Sequence, residues 1–151
     1  MDRNEFAALV VQHTDRMYRI AWTILRHDED CRDAMQEAAM KAWAKRQTLR
    51  EEKYFATWLT RILLNECYTI QRKRRRVLPV DEVPCQSAQP KDMALSMALQ
   101  SLPEKLRLPL VMHALEGMTY EEISRALRIP KSTVTGRIQR AKQQLRKELE
   151  A

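Results

Sequence analysis

Glycine occurs only twice in 151 residues, at Gly117 and Gly136. Tight hairpins and strand bulges draw on glycine for their positive-φ positions, so a chain this poor in it has few ways to build a compact sheet. Long stretches of Ala, Leu, Met, Gln, Lys and Arg favour helix instead, and β-branched runs are short and scattered. An all-α protein is expected. A hydrophobic content of 44% is enough for packed cores, which argues against wholesale disorder.

Apolar periodicity divides the chain. From Asn4 to Arg26, Phe6, Leu9, Val10, His13, Met17, Ile20, Ala21, Ile24 and Leu25 recur at three and four, as one face of an amphipathic helix does. Asp28, Glu29 and Asp30 interrupt this pattern and suit the positive end of a second helix, which continues through Ala34, Met35, Ala38, Ala39, Ala42 and Trp43. The polar stretch Lys45 to Lys53 precedes a third helix that opens near Tyr54, carries Phe55, Trp58, Leu59, Ile62, Leu63 and Cys67, and ends in RKRRR, Arg72 to Arg76. Residues 77–92, VLPVDEVPCQSAQPKD, hold three prolines and no helical period, as a flexible linker does. The expected architecture is two small helical domains, 1–76 and 93–151, joined by that linker.

In the second domain Ser101 and Glu104 have capping-box spacing with Pro103 inside the first turn, and Pro109 should bend the helix that follows. Gly117 is the expected C-cap, Thr119 and Glu122 form a second capping box, and Pro130 separates a short helix, Tyr120 to about Leu127, from a long one beginning at Lys131.

Two helices joined by three or four residues, the second strongly basic, describe a helix-turn-helix. Val134, Ile138, Ala141 and Leu145 give the last helix an inward stripe, leaving Lys131, Ser132, Thr135, Gly136, Gln139 and Gln143 on the other side, flanked by Arg137 and Arg140. From Lys131 to Lys147 there is no acid. Such a face suits a DNA groove: arginine pairs with guanine through two hydrogen bonds, the hydroxyls of Ser132, Thr133 and Thr135 reach phosphates or bases, and Gly136 permits close backbone approach. The net charge of +7 and pI near 9.6 agree with a polyanionic partner.

Other classes find little support. The three cysteines, Cys31, Cys67 and Cys85, form no CxxC pair and do not cluster with the histidines, so no metal site is expected. No paired-carboxylate site, phosphate-binding glycine loop or nucleophile–base pair is apparent, so neither enzyme nor cofactor is expected. The amino terminus does not read as a signal peptide, and no apolar run approaches the roughly 20 residues that span a bilayer. Unpaired thiols suit a reducing cytosol, and a cytoplasmic protein without membrane insertion is expected.

The segment LPEKLRLPLVMHALEGMTYEEISRALRIPKSTVTGRIQRAKQQLRKEL resembles region 4 of sigma factors of the extracytoplasmic-function (ECF) group. In that family it reads the minus-35 promoter element and docks on the flap of RNA polymerase. The resemblance therefore implies minus-35 contacts from Lys131, Ser132, Thr133, Thr135, Gly136, Arg137 and Arg140. Arg128 stands in the turn where the family often has glycine, and left-handed backbone there would be strained. CRDAMQEAAMKAW followed by FATWLTRILLNECYTIQRKRRR is similar to region 2 of the same family. That similarity implies that Asp33, Gln36 and Glu37, three or four apart on one helix, meet the clamp helices of core polymerase. It also implies that the loop Thr48 to Tyr54, with Thr48, Arg50 and Tyr54, captures an unstacked base of the minus-10 element. Arg61, Asn65, Tyr68 and Arg72 follow about once per turn and present one polar face to DNA, with Arg75 and Arg76 adding backbone electrostatics. Trp58 and its neighbours look like the family's motif that supports melted DNA, while Phe55, Trp58 and Ile62 also have the helical spacing of core residues. The implied partners are core RNA polymerase, promoter DNA and an anti-sigma factor, with no obligate homo-oligomer. The alternative is a helix-turn-helix regulator that does not bind core polymerase.

Overall fold

In a computed structural model the chain is described over residues 2–77 and 90–150, with side chains described over 2–74 and 94–150. Among the described residues there are helices and turns and no strands: α1 (Arg3–Gln12), α2 (Thr14–Leu25), α3 (Asp28–Ala44), α4 (Phe55–Val77), α5 (Pro90–Ser101), α6 (Glu104–Ala114), α7 (Tyr120–Leu127) and α8 (Lys131–Glu150). Two short 3-10 turns, Arg46–Thr48 and Glu52–Tyr54, lie between α3 and α4. The helices gather into two compact units, Met1–Glu82 and Val83–Ala151.

In the first unit α2, α3 and α4 pack against one another. The buried stripe of α3 is Cys31, Ala34, Ala38 and Ala42, all small, which lets α4 approach closely along its length. Phe55, Leu59, Ile62, Leu63, Leu64 and Cys67 of α4 and Met17, Ile20, Ala21, Ile24 and Leu25 of α2 fill the rest of the core. Lys41 of α3 reaches Glu66 of α4 at 2.5 Å, and Glu66 is buried. That hydrogen bond and the carboxylate's charge hold the Lys41 ammonium above its ordinary pKa.

The single helix expected from Asn4 to Arg26 is two. It breaks at His13, whose backbone leaves the helical region and whose Nδ1 lies 2.7 Å from the Leu9 carbonyl oxygen, while the Thr14 hydroxyl donates to Val10. These side chains take up carbonyls at the end of α1 and let the chain turn. Phe6 can then reach the core, edge-on to both Trp43 and Phe55, and the His13 ring packs on Phe55.

In the second unit α5, α6 and α7 all pack on α8. Two expectations change here. Val77 ends α4 and Pro90 opens α5, so the irregular segment expected over 77–92 is shorter at both ends; the remainder, with Cys85, lies outside the described residues. Ser101 does not cap α6: it is the last residue of α5, donating to the Ala98 carbonyl and bonding Glu148 of α8, and the N-cap position falls to Pro103, which offers no side-chain hydrogen bond. Helix α6 continues through Pro109 as one element. The capping box at Thr119 and Glu122 forms as expected, with reciprocal bonds of 3.1 and 2.9 Å. Gly117 adopts φ +69 and donates its N–H to the His113 carbonyl, closing the end of α6 with a left-handed residue.

Candidate nucleic-acid interface

The turn between α7 and α8 fixes the helix-turn-helix. Arg128 closes α7 in the left-handed region at φ 57, ψ 46. The Ser124 hydroxyl donates to the Ile129 carbonyl at 2.6 Å, and the Ile129 N–H returns to the Ser124 carbonyl. Thr133 and Val134 then donate to the Pro130 carbonyl, which starts α8. Burial of Val134, Ile138 and Ala141 orients α8, as their spacing predicts.

On the opposite side Lys131, Ser132, Gln139 and Arg140 are exposed, and Thr133, Thr135, Gly136 and Arg137 are half-buried. The structure thus brings all seven expected minus-35 residues onto the first turns of one helix. Thr135 donates back to the Lys131 carbonyl at 3.1 Å, so its hydroxyl proton is engaged within the helix. A Cβ placed on Gly136 would lie 3.9 Å from Nη2 of Arg140. The Arg140 guanidinium therefore lies back along the helix over Gly136, in space that the sequence suggested was open for backbone approach.

On α3, Asp33, Gln36 and Glu37 are all exposed, and Met40, one turn further on, is 59% exposed. Beside them the periodicity gave no sign of an apolar groove of about 390 Å³, lined by Phe6, Val10, Val11, Met40 and Trp43 among others. It exists because the break at His13 folds α1 onto α3, a tertiary event.

The segment between α3 and α4 is held at several points. Arg46 lies over the Trp43 ring, 3.9 Å from its centroid, and donates to the Trp43 carbonyl. The Thr48 hydroxyl accepts from the Trp58 indole N–H at 3.0 Å and donates to the Lys45 carbonyl at 2.7 Å. Arg50 is exposed. Tyr54 is 43% exposed, with the Lys53 ammonium 5.1 Å from its ring centroid. Between this loop and α1 lies an open cavity of about 480 Å³ lined by Glu5, Phe6, Arg46, Gln47, Leu49 and Glu52, another feature made by tertiary contact.

Along α4 the core reading holds for Phe55 and Ile62, which are buried, while Trp58 is half-buried with its ring against Phe55. Asn65 and Arg72 are exposed, and Arg61 and Tyr68 are half-buried, so the polar face is graded rather than uniformly open. The Arg61 Nε is shielded and makes no hydrogen bond among the described residues. Arg75 and Arg76 lie in the last turn of α4, and their side chains are outside the described ones. The basic run is not wholly turned to solvent. Arg74 faces inward, donating to the Leu25 carbonyl at the end of α2 (2.7 Å) and standing 3.5 Å from Asp30 in the first turn of α3. It complements the negative end of α2 and pairs with a carboxylate at the start of α3. Among the described residues no group of His, Cys, Asp and Glu could hold a metal ion, and no helix is long and apolar enough to cross a membrane.

Comparison with known proteins agrees with this geometry. Residues 9–77 match the family described as Sigma-70 region 2, and residues 92–145 match Sigma-70, region 4. The chain is 35% identical to the ECF RNA polymerase sigma factor SigE of Mycolicibacterium smegmatis over 91% of its own length, spanning 59% of that protein. It is 30% identical to the ECF RNA polymerase sigma-E factor of Escherichia coli, covering 94% of this chain and 85% of that one. Among solved structures, the sigma factor RpoE in complex with the anti-sigma factor NepR from Bartonella quintana shares the fold: TM-score 0.82 and 24% identity, covering 97% of this chain and 98% of that chain. With both sigma-70 regions matched in order and curated relatives covered over most of their length, the chain belongs to the family of ECF RNA polymerase sigma factors.

Proposed function

We propose that this chain acts as an initiation factor in the cytoplasm, joining core RNA polymerase, directing it to promoters and assisting strand opening, while the polymerase performs the chemistry. The observation that carries this reading is the pairing, in one chain, of a region 2 unit with Asp33, Gln36 and Glu37 exposed and a region 4 unit whose last helix is basic and free of acid from Lys131 to Lys147. A regulator that never met the polymerase would have no use for the first of these.

In this reading residues 1–76 serve core polymerase and the minus-10 element, and residues 93–151 serve the minus-35 element. Asp33, Gln36 and Glu37 meet the clamp helices. The face of α8 from Lys131 to Arg140 lies in the major groove, with Arg137 and Arg140 able to read base edges and Ser132 and Thr133 able to reach phosphate. The loop 48–54, with Arg50 and Tyr54, takes an extruded base, and Arg61, Asn65, Tyr68, Arg72, Arg75 and Arg76 follow the melted strand. Because a base face is hidden in duplex DNA, binding it favours only the open state, and a ligand shifts an equilibrium by its preference for one state. RpoE of Bartonella quintana forms a complex with the anti-sigma factor NepR, and a partner of that kind belongs to the proposal here.

Run-off transcription with purified core polymerase, followed by sequencing of the RNA starts, tests the whole reading. Starts clustered at a fixed distance from a shared pair of sequence elements are expected. Specific starts equal in number with and without this chain would overturn it.

A further inference from the structure

We propose that Trp58 is a positioning residue for strand opening: its indole N–H holds Thr48 and so sets the conformation of the loop from Lys45 to Tyr54 before DNA arrives. The inference rests on the reading of that loop as a base-capture element.

A hydroxyl has one proton to donate and lone pairs to accept. The Thr48 proton goes to the Lys45 carbonyl at 2.7 Å, and Trp58 Nε1 donates to the same oxygen at 3.0 Å. A phosphate oxygen only accepts, so Thr48 cannot bind one without giving up the bond that shapes the turn Arg46–Thr48. Thr48 therefore belongs to the frame of the loop and not to its DNA-contacting side. Trp58 is suited to hold it, being in the first turns of α4 with its ring 5.7 Å from that of Phe55. Phe55 is in turn fixed by Phe6 and His13. The loop is thus tied at its start by Arg46 on Trp43, in its middle by Thr48 on Trp58, and at its end by buried Phe55. Residues 49–54 lie between the last two of these ties, and a segment so shortened loses less freedom when it closes on a base. Recognition of closed duplex does not call on this loop, so the ties favour the open complex selectively.

The test is transcription by holoenzyme assembled with Trp58→Phe, Thr48→Val, Thr48→Ser or the Trp58→Phe/Thr48→Val pair, on a duplex promoter and on the same promoter pre-melted as a bubble. The duplex-to-bubble ratio should fall about five-fold in Trp58→Phe, the size expected for one hydrogen bond, and at least as far in Thr48→Val, which also loses the bond to the Lys45 carbonyl. Thr48→Ser should keep the ratio, and the double variant should be no worse than Thr48→Val alone. Full additivity would mean that Thr48 acts on DNA by itself, and an unchanged ratio in both single variants would mean that the tie is idle; either result overturns the proposal. Tyr54→Ala separates the two levels. If it lowers the ratio while Trp58→Phe and Thr48→Val do not, only the tie is refuted; if it too leaves the ratio unchanged, base capture by this loop is refuted first. Should Trp58→Phe melt early by circular dichroism, Thr48→Val at its exposed position carries the decision.

Discussion

Arg137 and Arg140 lie one turn apart on α8, half-buried and exposed respectively, beside a glycine that leaves room for the Arg140 guanidinium. If either reads guanine through a paired contact, its change to Ala costs about 1–3 kcal/mol at one promoter position and relaxes specificity there. If it touches only phosphate, all sequences weaken alike and the salt slope falls. Footprints of the two variants across promoter mutants at two salt concentrations decide between these. Arg128 allows a cleaner stability test: its side chain is exposed while its backbone sits at φ 57. Left-handed backbone disfavours a residue with a Cβ, so Arg128→Gly should stabilise the second unit by about 1 kcal/mol, after allowing for the extra freedom of glycine when unfolded. A lower melting temperature would show that Arg128 makes contacts that outweigh its strain. Cys31 is fully buried, and burial pushes its thiol up to about 12. Since the thiolate is the nucleophile, Cys31 should resist iodoacetamide at neutral pH until the protein unfolds, as peptide mapping would show.

Helix α3 shows how one element serves two neighbours. Its small stripe of Cys31, Ala34, Ala38 and Ala42 admits α4, and its other side leaves Asp33, Gln36 and Glu37 in solvent. That division was legible because a helix repeats every three to four residues, and the structure keeps it. Exchanging Asp33 and Glu37 for lysine touches no core contact, so the far-ultraviolet circular dichroism should not change while affinity for core polymerase falls at least about tenfold. Unchanged affinity in a fluorescence titration would remove α3 from the polymerase interface. The break between α1 and α2 was not legible. His13 continues the apolar period, and nothing local separates a helix that runs on from one whose side chains take its own carbonyls and fold it back. Ser101 misled for a similar reason: capping-box spacing is a local pattern, but its hydroxyl is claimed by α5 and by Glu148 of α8, far along the chain.

Across the whole molecule, each unit builds its core from its own helices. In the second unit the buried Arg107 donates to the carbonyls of Gln100 and Leu102, at 3.2 and 3.0 Å, which secures the end of α5 beside the start of α6. Arg107→Ala strips these carbonyls of a charged donor and should destabilise that unit by about 2 kcal/mol. Hydrogen exchange should then rise across α5, α6 and α8 while Leu59, Leu63 and Leu64 of the first unit keep their protection; a uniform rise would mean that the two units unfold together. The amino-acid sequence by itself determined the helical class, the two-part organisation, the inward stripe of α8 and the basic face opposite it. Each follows from repeat spacing, glycine scarcity or charge, and each is carried by residues close together in the chain. Only the tertiary structure decided that Arg74 and Arg107 face inward among cations that otherwise look alike, and that α1 folds back to make a groove and a cavity. It alone decided that Thr48 is bound to Trp58. Those outcomes depend on which carbonyl, ring or carboxylate a distant helix brings within hydrogen-bonding reach, and no local period records that.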